Sequence, residues 1–308
     1  MKNVEALISE AFKVKASEFI ELLEKMHWML KEEKGKVFRN FKVEGGLVKL
    51  TDNVKKVIVV GDIHGDIESL TYILKDSGFI ERVKDDKSVI IIFLGDYGDR
   101  GEYSVEVYYT ILWLKTNLQE NIVMLRGNHE GPSDLLAYPH DLPYQFKRKF
   151  GEKWEEAYSL TLSLFDKMPH AAIINSKYIF LHGGVPSKAE KLEDVAYANQ
   201  THPSKNFLEE ILWNDPDDDI TGVYPSPRGA GFLFGEDVTR KFLEKVNAKV
   251  VIRGHEPCLG VKLNHNGKVL TVFSRKGPPY FNTHAAYLEI SLVKTFTGYE
   301  LASMAKLF

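Results

Sequence analysis

Three unbroken apolar runs in the first half of the chain end on the same kind of polar stop. "KKVIVVGD" covers Lys55 to Asp62, "SVIIIFLGD" covers Ser88 to Asp96, and "ENIVMLRGNHE" covers Glu120 to Glu130. A continuous Val/Ile/Leu run leaves no polar face for water, so such strands read as parallel and covered on both sides. Between them lie "DIESLTYILKDSGF", with Leu70, Ile73 and Leu74 on one helical face, and the longer helix "EYSVEVYYTILWLKTNL". Strand–helix–strand–helix–strand is the pattern of an α/β sheet with right-handed crossovers.

The same stop recurs in "KYIFLHGG" and "AKVVIRGH". "GVKLNHNGKVLTVFS" reads as a hairpin turning at "NHNG", and "HAAYLEISLV" and "GYELASM" as further strands, which makes the last third look antiparallel. Leu7, Ile8, Phe12, Phe19, Leu23, Met26 and Leu30 recur at helical spacing near the start, and "KVEGGLVKLTD" reads as a turn and a short strand. The stretch 132–172 reads as mostly helical and 189–227 as polar loop, including the acidic run Asp215 to Asp219, taken as solvated. The expectation is an α/β fold of two packed mixed sheets flanked by helices. Residues 1–50 are a helical segment packed on a core that runs from 51 to 308, one domain overall.

A chain of 308 residues can bury a full core. Its net charge of −3 excludes a broad basic field for nucleic acid. No apolar run approaches the ~20 residues that span a bilayer, and "MKNVEALISEAFK" has no signal-peptide core. The single cysteine, Cys258, allows no intramolecular disulfide and suits a reducing compartment. These features predict a cytoplasmic protein with no nucleic-acid or membrane partner.

The polar stops carry the chemistry. Asp62 with His64, Asp96 with Asp99, Asn128 with His129, then His182 and His255, all follow apolar strands. Taken singly, an Asp after a strand makes a turn or a cap. Together they gather potential ligands at the carboxyl ends of strands, where α/β proteins place their sites. Carboxylate plus imidazole without thiolate suits Mn, Fe or Zn. The set exceeds the needs of one ion but fits two ions bridged by one carboxylate, roughly 3.5–4 Å apart. Flanking glycines supply positive φ or the room left by a missing Cβ. Arg100, Arg228 and Arg253 lie in Gly-rich loops or at strand ends, and a guanidinium fork matches phosphate.

"GDIHG", "GDYGDRG", "RGNHE", "HGG" and "RGH", in this order, resemble the phosphoprotein phosphatase family of serine/threonine phosphatases, types 1 and 2A, within the calcineurin-like metallophosphoesterases. "ILWNDPD", "RGAGFLFG" and "TVFS" are similar to the same family, and the resemblance spans Val57 to Tyr299. It implies a metallophosphoesterase catalytic domain at 51–308 that hydrolyses phosphoserine and phosphothreonine by attack of a hydroxide bridging two divalent metals, most simply Mn²⁺. It implies that Asp62 and His64 bind one metal, that Asp96 bridges, and that Asn128, His182 and His255 complete the other. His129 is then the general acid and Asp99 its orienter. Arg100 and Arg228 clamp phosphate with Asn128, Tyr280 overhangs the site, and Arg253 stands behind it. Phosphoproteins are the implied substrates and regulatory subunits the implied partners. A dinucleoside tetraphosphatase, or another small-molecule phosphoesterase, would share the same dimetal ligands. The wording departs from the family's at Gly98 (usually Val), at "GPSD" after "RGNHE", and at "RKGPPYFN" after "TVFS". The compact chain resembles an archaeal or bacterial member.

Overall fold

The computed structural model describes residues 2–308. Two mixed sheets face each other across a common core, with helices on both outer faces. The five-stranded sheet holds the three apolar runs as parallel neighbours, Lys56–Val60, Val89–Phe93 and Ile122–Met124. Ala286–Ser291 joins antiparallel beside Lys56–Val60, and Lys306–Leu307 forms the edge. The seven-stranded sheet runs Phe41–Glu44, Leu47–Leu50, Ala171–Ile174, Tyr178–Leu181, Val250–Arg253, Val269–Val272, Val261–Asn264.

Alternation within the apolar runs explains why both faces are covered. Val57, Val59, Ile90 and Ile92 point between the sheets, against Tyr178, Phe180, Ile252 and Val272. Ile58, Val60, Ile91 and Phe93 point outward, beneath the helices of the first half. The helix Ala16–Glu33 supplies Phe19, Leu23, Met26 and Leu30 to that outer layer. On the far side, Leu47, Ile179, Leu181 and Val251 meet Ile211, Leu212, Val238 and Phe242. All these side chains are buried, at about 25 cal/mol per Å² of apolar surface removed from water.

The first 50 residues are helical only in Val4–Lys13 and Ala16–Glu33. Phe41–Leu50 forms a hairpin whose second strand runs parallel to Ala171–Ile174, so this segment builds part of the larger sheet. The last third is not uniformly antiparallel. Val250–Arg253 runs parallel to both its neighbours, while the hairpin Val261–Val272, Ala286–Ser291 and Lys306–Leu307 pair antiparallel. "GYELASM" is not a strand: Gly298–Ser303 is a helix. Thr297 accepts the Glu300 amide while the Glu300 side chain returns to the Thr297 amide, a reciprocal cap that outweighs the apolar alternation of Tyr299 and Leu301.

Among the described residues, no helix is long and apolar enough to cross a membrane.

Candidate active site and metal centre

The carboxyl ends of both sheets converge on one cleft. From the five-stranded sheet come Asp62 and His64, Asp96 and Asp99, and Asn128 and His129; from the seven-stranded sheet come His182 and His255. All eight are buried, none more than 5% exposed. The strands stop there because the next residues leave the extended region. His64, Asp96, Asp99, Arg100 and His255 all have φ between 45° and 70°. Left-handed backbone at non-glycine residues costs on the order of 1–3 kcal/mol each and collects at functional sites. The neighbouring glycines mostly serve a different need from positive φ. A Cβ on Gly127 would lie 2.2 Å from Asp96 Oδ1, and one on Gly254 2.3 Å from Asp62 Oδ1. Both glycines let a carboxylate lie against bare backbone.

Asp96 is the centre of the arrangement. Its Oδ2 lies 3.3 Å from His64 Nε2 and its Oδ1 3.3 Å from His182 Nε2. Each of these imidazoles donates its Nδ1–H to a backbone carbonyl, His64 to Gly98 at 2.8 Å and His182 to Leu94 at 3.0 Å. That orients each ring with Nε2 turned toward the carboxylate, the usual preparation of a metal-binding histidine. Two tight groups of ligand atoms result: His64, Asp96 and His129, and Asp96, His182 and His255. Asp96 belongs to both. The first contains His129 where the resemblance implied Asp62; Asp62 stands just outside, 3.8 Å from His64 Nε2.

The residues fit a pair of divalent cations. The Asn128 carboxamide oxygen sits 2.9 Å from His182 Nε2 and 3.1 Å from His255 Nδ1, with both Asp96 oxygens also within 3.2 Å. An amide oxygen set against carboxylate oxygens is relieved either by rotating the amide or by a cation. Asp62 Oδ2 and His255 Nε2 are buried with no hydrogen-bond partner, although His255 N donates to Asp62 Oδ1 at 2.8 Å. Charge tells the same story. Burial and the nearby Asp96 push the Asp62 carboxyl up to about 7. Burial would lower His182, but Asp96 outweighs it and holds the imidazole up at about 9. Burial also works against an ionised Asp96, yet His182 and His129 pull it well below the carboxylate range. Burial drives His64 down to about 3 and His255 well below its usual value, so both rings are neutral, the form that binds metal.

Beside this centre, His129 donates Nδ1–H to Asp99 Oδ2 at 2.6 Å. Burial disfavours a charged His129, but Asp96 and Asp99 reverse the sign and raise its proton affinity. Arg100, Arg228 and Tyr280 line the same 490 Å³ cleft as His64, Asp96, Asn128, His129 and His255. Arg100 donates to the Tyr138 carbonyl at 2.8 Å and keeps Nε unpartnered. The Tyr280 ring lies 5.6 Å from that of His64, centroid to centroid. Arg253 is fully buried behind the site and reaches Asp215 at 2.9 Å.

Asp215 corrects the reading of the acidic run as solvated. It is buried, and holds Arg228 Nε at 2.5 Å together with Arg253. Burial resists its ionisation, but His255, Arg253 and Arg228 prevail and push it well below the carboxylate range. Glu130 is another site residue that pattern reasoning passed over. Its fully buried carboxylate accepts the Asp96, Tyr97 and Gly127 amides and the Tyr108 hydroxyl, tying the loops after two strands together. Its place at the end of "RGNHE" was the available signal.

Comparison with known proteins places these features in a family. The model for calcineurin-like phosphoesterases matches residues 55–259, and the chain belongs to that family. Curated relatives include serine/threonine protein phosphatases. A protein phosphatase 2A catalytic subunit of Dictyostelium discoideum is 34% identical over 73% of this chain and 70% of its own length. A probable serine/threonine-protein phosphatase of Encephalitozoon cuniculi is 34% identical over 73% of this chain, which spans only 48% of that relative. The fold is shared with a protein serine/threonine phosphatase from Saccharomyces cerevisiae described as similar to human phosphatase PP5. That likeness has a TM-score of 0.73 and 23% identity, over 96% of this chain and 89% of the other.

Proposed function

We propose that the chain is a metal-dependent serine/threonine protein phosphatase, cytoplasmic, acting on phosphoproteins and open to regulatory subunits. The observation that carries this is Asp96, shared by two ligand groups on the floor of a cleft that two arginines also line. In this reading Asp62 and His64 hold one divalent cation with Asp96, and Asn128, His182 and His255 hold the other with it. Mn²⁺ is the first choice for both positions, ahead of Fe or Zn. When bound, such a pair supplies Lewis acidity and lowers the pKa of water.

The chain's own groups do the rest. Arg100 and Arg228 hold phosphate oxygens, with the Asn128 amide beside them, and Asp215 aims the Arg228 guanidinium. Tyr280 closes the cleft over His64 and limits bulk water. A seryl or threonyl alkoxide is a poor leaving group and needs a proton as it departs. His129 delivers it from Nε2, because Nδ1–H is committed to Asp99.

The test is turnover of a phosphoserine peptide, a phosphotyrosine peptide and diadenosine tetraphosphate by protein supplied with Mn²⁺. The phosphoserine peptide is expected to be hydrolysed fastest. Preference for the dinucleotide would overturn the reading in favour of a small-molecule phosphoesterase.

A further inference from the structure

Asp99 holds more than His129. Its Oδ1 accepts the backbone amides of Asp141 and Leu142, at 2.9 and 2.8 Å. Its Oδ2 accepts His129 Nδ1–H at 2.6 Å and also His140 Nδ1–H at 2.8 Å. His140 is itself tethered, its Nε2 lying 2.7 Å from the Tyr158 hydroxyl. The directions of these bonds follow from chemistry. Asp99 lies well below the carboxylate range: burial opposes ionisation, but the His129 and His140 hydrogen bonds outweigh it. An ionised carboxylate only accepts, so both imidazoles donate through Nδ1. With Nδ1 committed to Asp99, His140 Nε2 faces the Tyr158 hydroxyl, which can accept from it or donate to it. Burial and Asp99 push the Tyr158 phenol up to about 12, so its proton stays on oxygen. The side chain of His140 is 10% exposed and forms no part of the metal-ligand set.

We propose that His140 is a positioning residue for the proton donor: anchored by Tyr158, it fixes Asp99 Oδ2 in the line that aims His129 at the leaving oxygen. The inference rests on His129 having that role. Asp99 lies on a loop whose backbone is left-handed at both Asp99 and Arg100. A carboxylate anchored only through Oδ1 could swing Oδ2 about that end, and His140 removes this freedom. Orientation errors of this kind lower the chemical step and leave binding intact.

The experiment compares kcat on a phosphoserine peptide, whose leaving group needs the proton, with kcat on p-nitrophenyl phosphate, whose leaving group does not. His140→Phe is expected to lose about tenfold more on the peptide than on p-nitrophenyl phosphate, with KM and Mn²⁺ content unchanged. Tyr158→Phe should repeat the pattern more weakly, and His140→Gln, which keeps a donor, should recover part of the loss. In a His129→Ala background, His140→Phe should add nothing. Equal losses on both substrates, or an additive double variant, would overturn the proposal, because a purely structural role damages both reactions alike. His129→Ala alone separates the two ideas. If it shows no substrate selectivity, the reading of His129 as proton donor fails; if it does and His140→Phe does not, only this inference fails.

Discussion

Asp96→Asn exchanges one carboxylate oxygen for an amide nitrogen and leaves the shape unchanged. Because Oδ2 faces His64 and Oδ1 faces His182, both ligand groups are weakened by one substitution. Mn²⁺ stoichiometry after gel filtration should fall from two toward zero; two ions held at unchanged affinity would exclude a shared carboxylate. Gly98 poses a separate question at this scale, since the family's commoner residue there is Val. A Cβ at Gly98 would approach Tyr108 Cε2 to 2.8 Å, and Tyr108 is committed to Glu130 at 2.6 Å. Gly98→Val should therefore cost about 1–3 kcal/mol, read as a lower urea midpoint. An unchanged midpoint would mean that Tyr108 moves aside freely. The ligands themselves were legible in the sequence because each directly follows a buried run. The pairings of Asp215, a residue of the "ILWNDPD" motif, and of His140 were not. The arginines that pair with Asp215 lie 13 and 38 positions away, and the Asp99 that meets His140 lies 41 away. No local pattern encodes such distances.

The central elements of the fold were readable for a related reason. Four or five consecutive apolar residues, mostly β-branched, suit a strand covered on both faces, as in Val57–Val60 and Val89–Phe93. Gly298–Ser303 was misread because its apolar alternation was weighed and its cap, three residues apart, was not. Helix Ala16–Glu33 shows what periodicity omits altogether. Its last residue, Glu33, is 4% exposed and pairs with the equally buried Lys115 of helix Ser104–Asn117 at 2.7 Å. Lys115 also donates to the Gln119 and Ile122 carbonyls, at 3.1 and 3.0 Å. Lys115→Met leaves a buried carboxylate without its cation and should destabilise the fold by about 3–5 kcal/mol. Adding Glu33→Leu to that variant should restore most of the loss in chemical denaturation. If Lys115→Met alone is nearly neutral, the pair does not hold these helices.

At the scale of the molecule, stability should follow acidity and metal together. Burial drives the His170 imidazole down to about 4, its ring N–H donating to the Val195 carbonyl at 2.6 Å. The unfolded chain takes that proton near pH 6.5. The contribution of His170 is therefore whole above about pH 6.5 and is lost as pH falls from there toward 4, by up to ~1.4 kcal/mol per pH unit. Urea titrations from pH 7 to 4.5 should show this slope, and His170→Gln should flatten it; parallel curves for both proteins would exclude His170 as the cause. Mn²⁺ should raise the melting temperature in a concentration-dependent way, as any ligand of the folded state alone must.

The order of the strands also has a consequence for how the chain is made. The hairpin Phe41–Leu50 belongs to the sheet completed by residues up to 272, and Ala286–Ser291 covers the side of Lys56–Val60 away from Val89–Phe93. A chain leaving the ribosome therefore shows the bare edge of Lys56–Val60 until Ala286–Ser291 emerges, and unpaired edges recruit other chains. His255 also arrives late, so a nascent chain displays an incomplete set of ligands until that residue emerges. Such a protein should rely on chaperone cover during translation, and truncation before Ala286 should yield aggregates rather than a smaller enzyme.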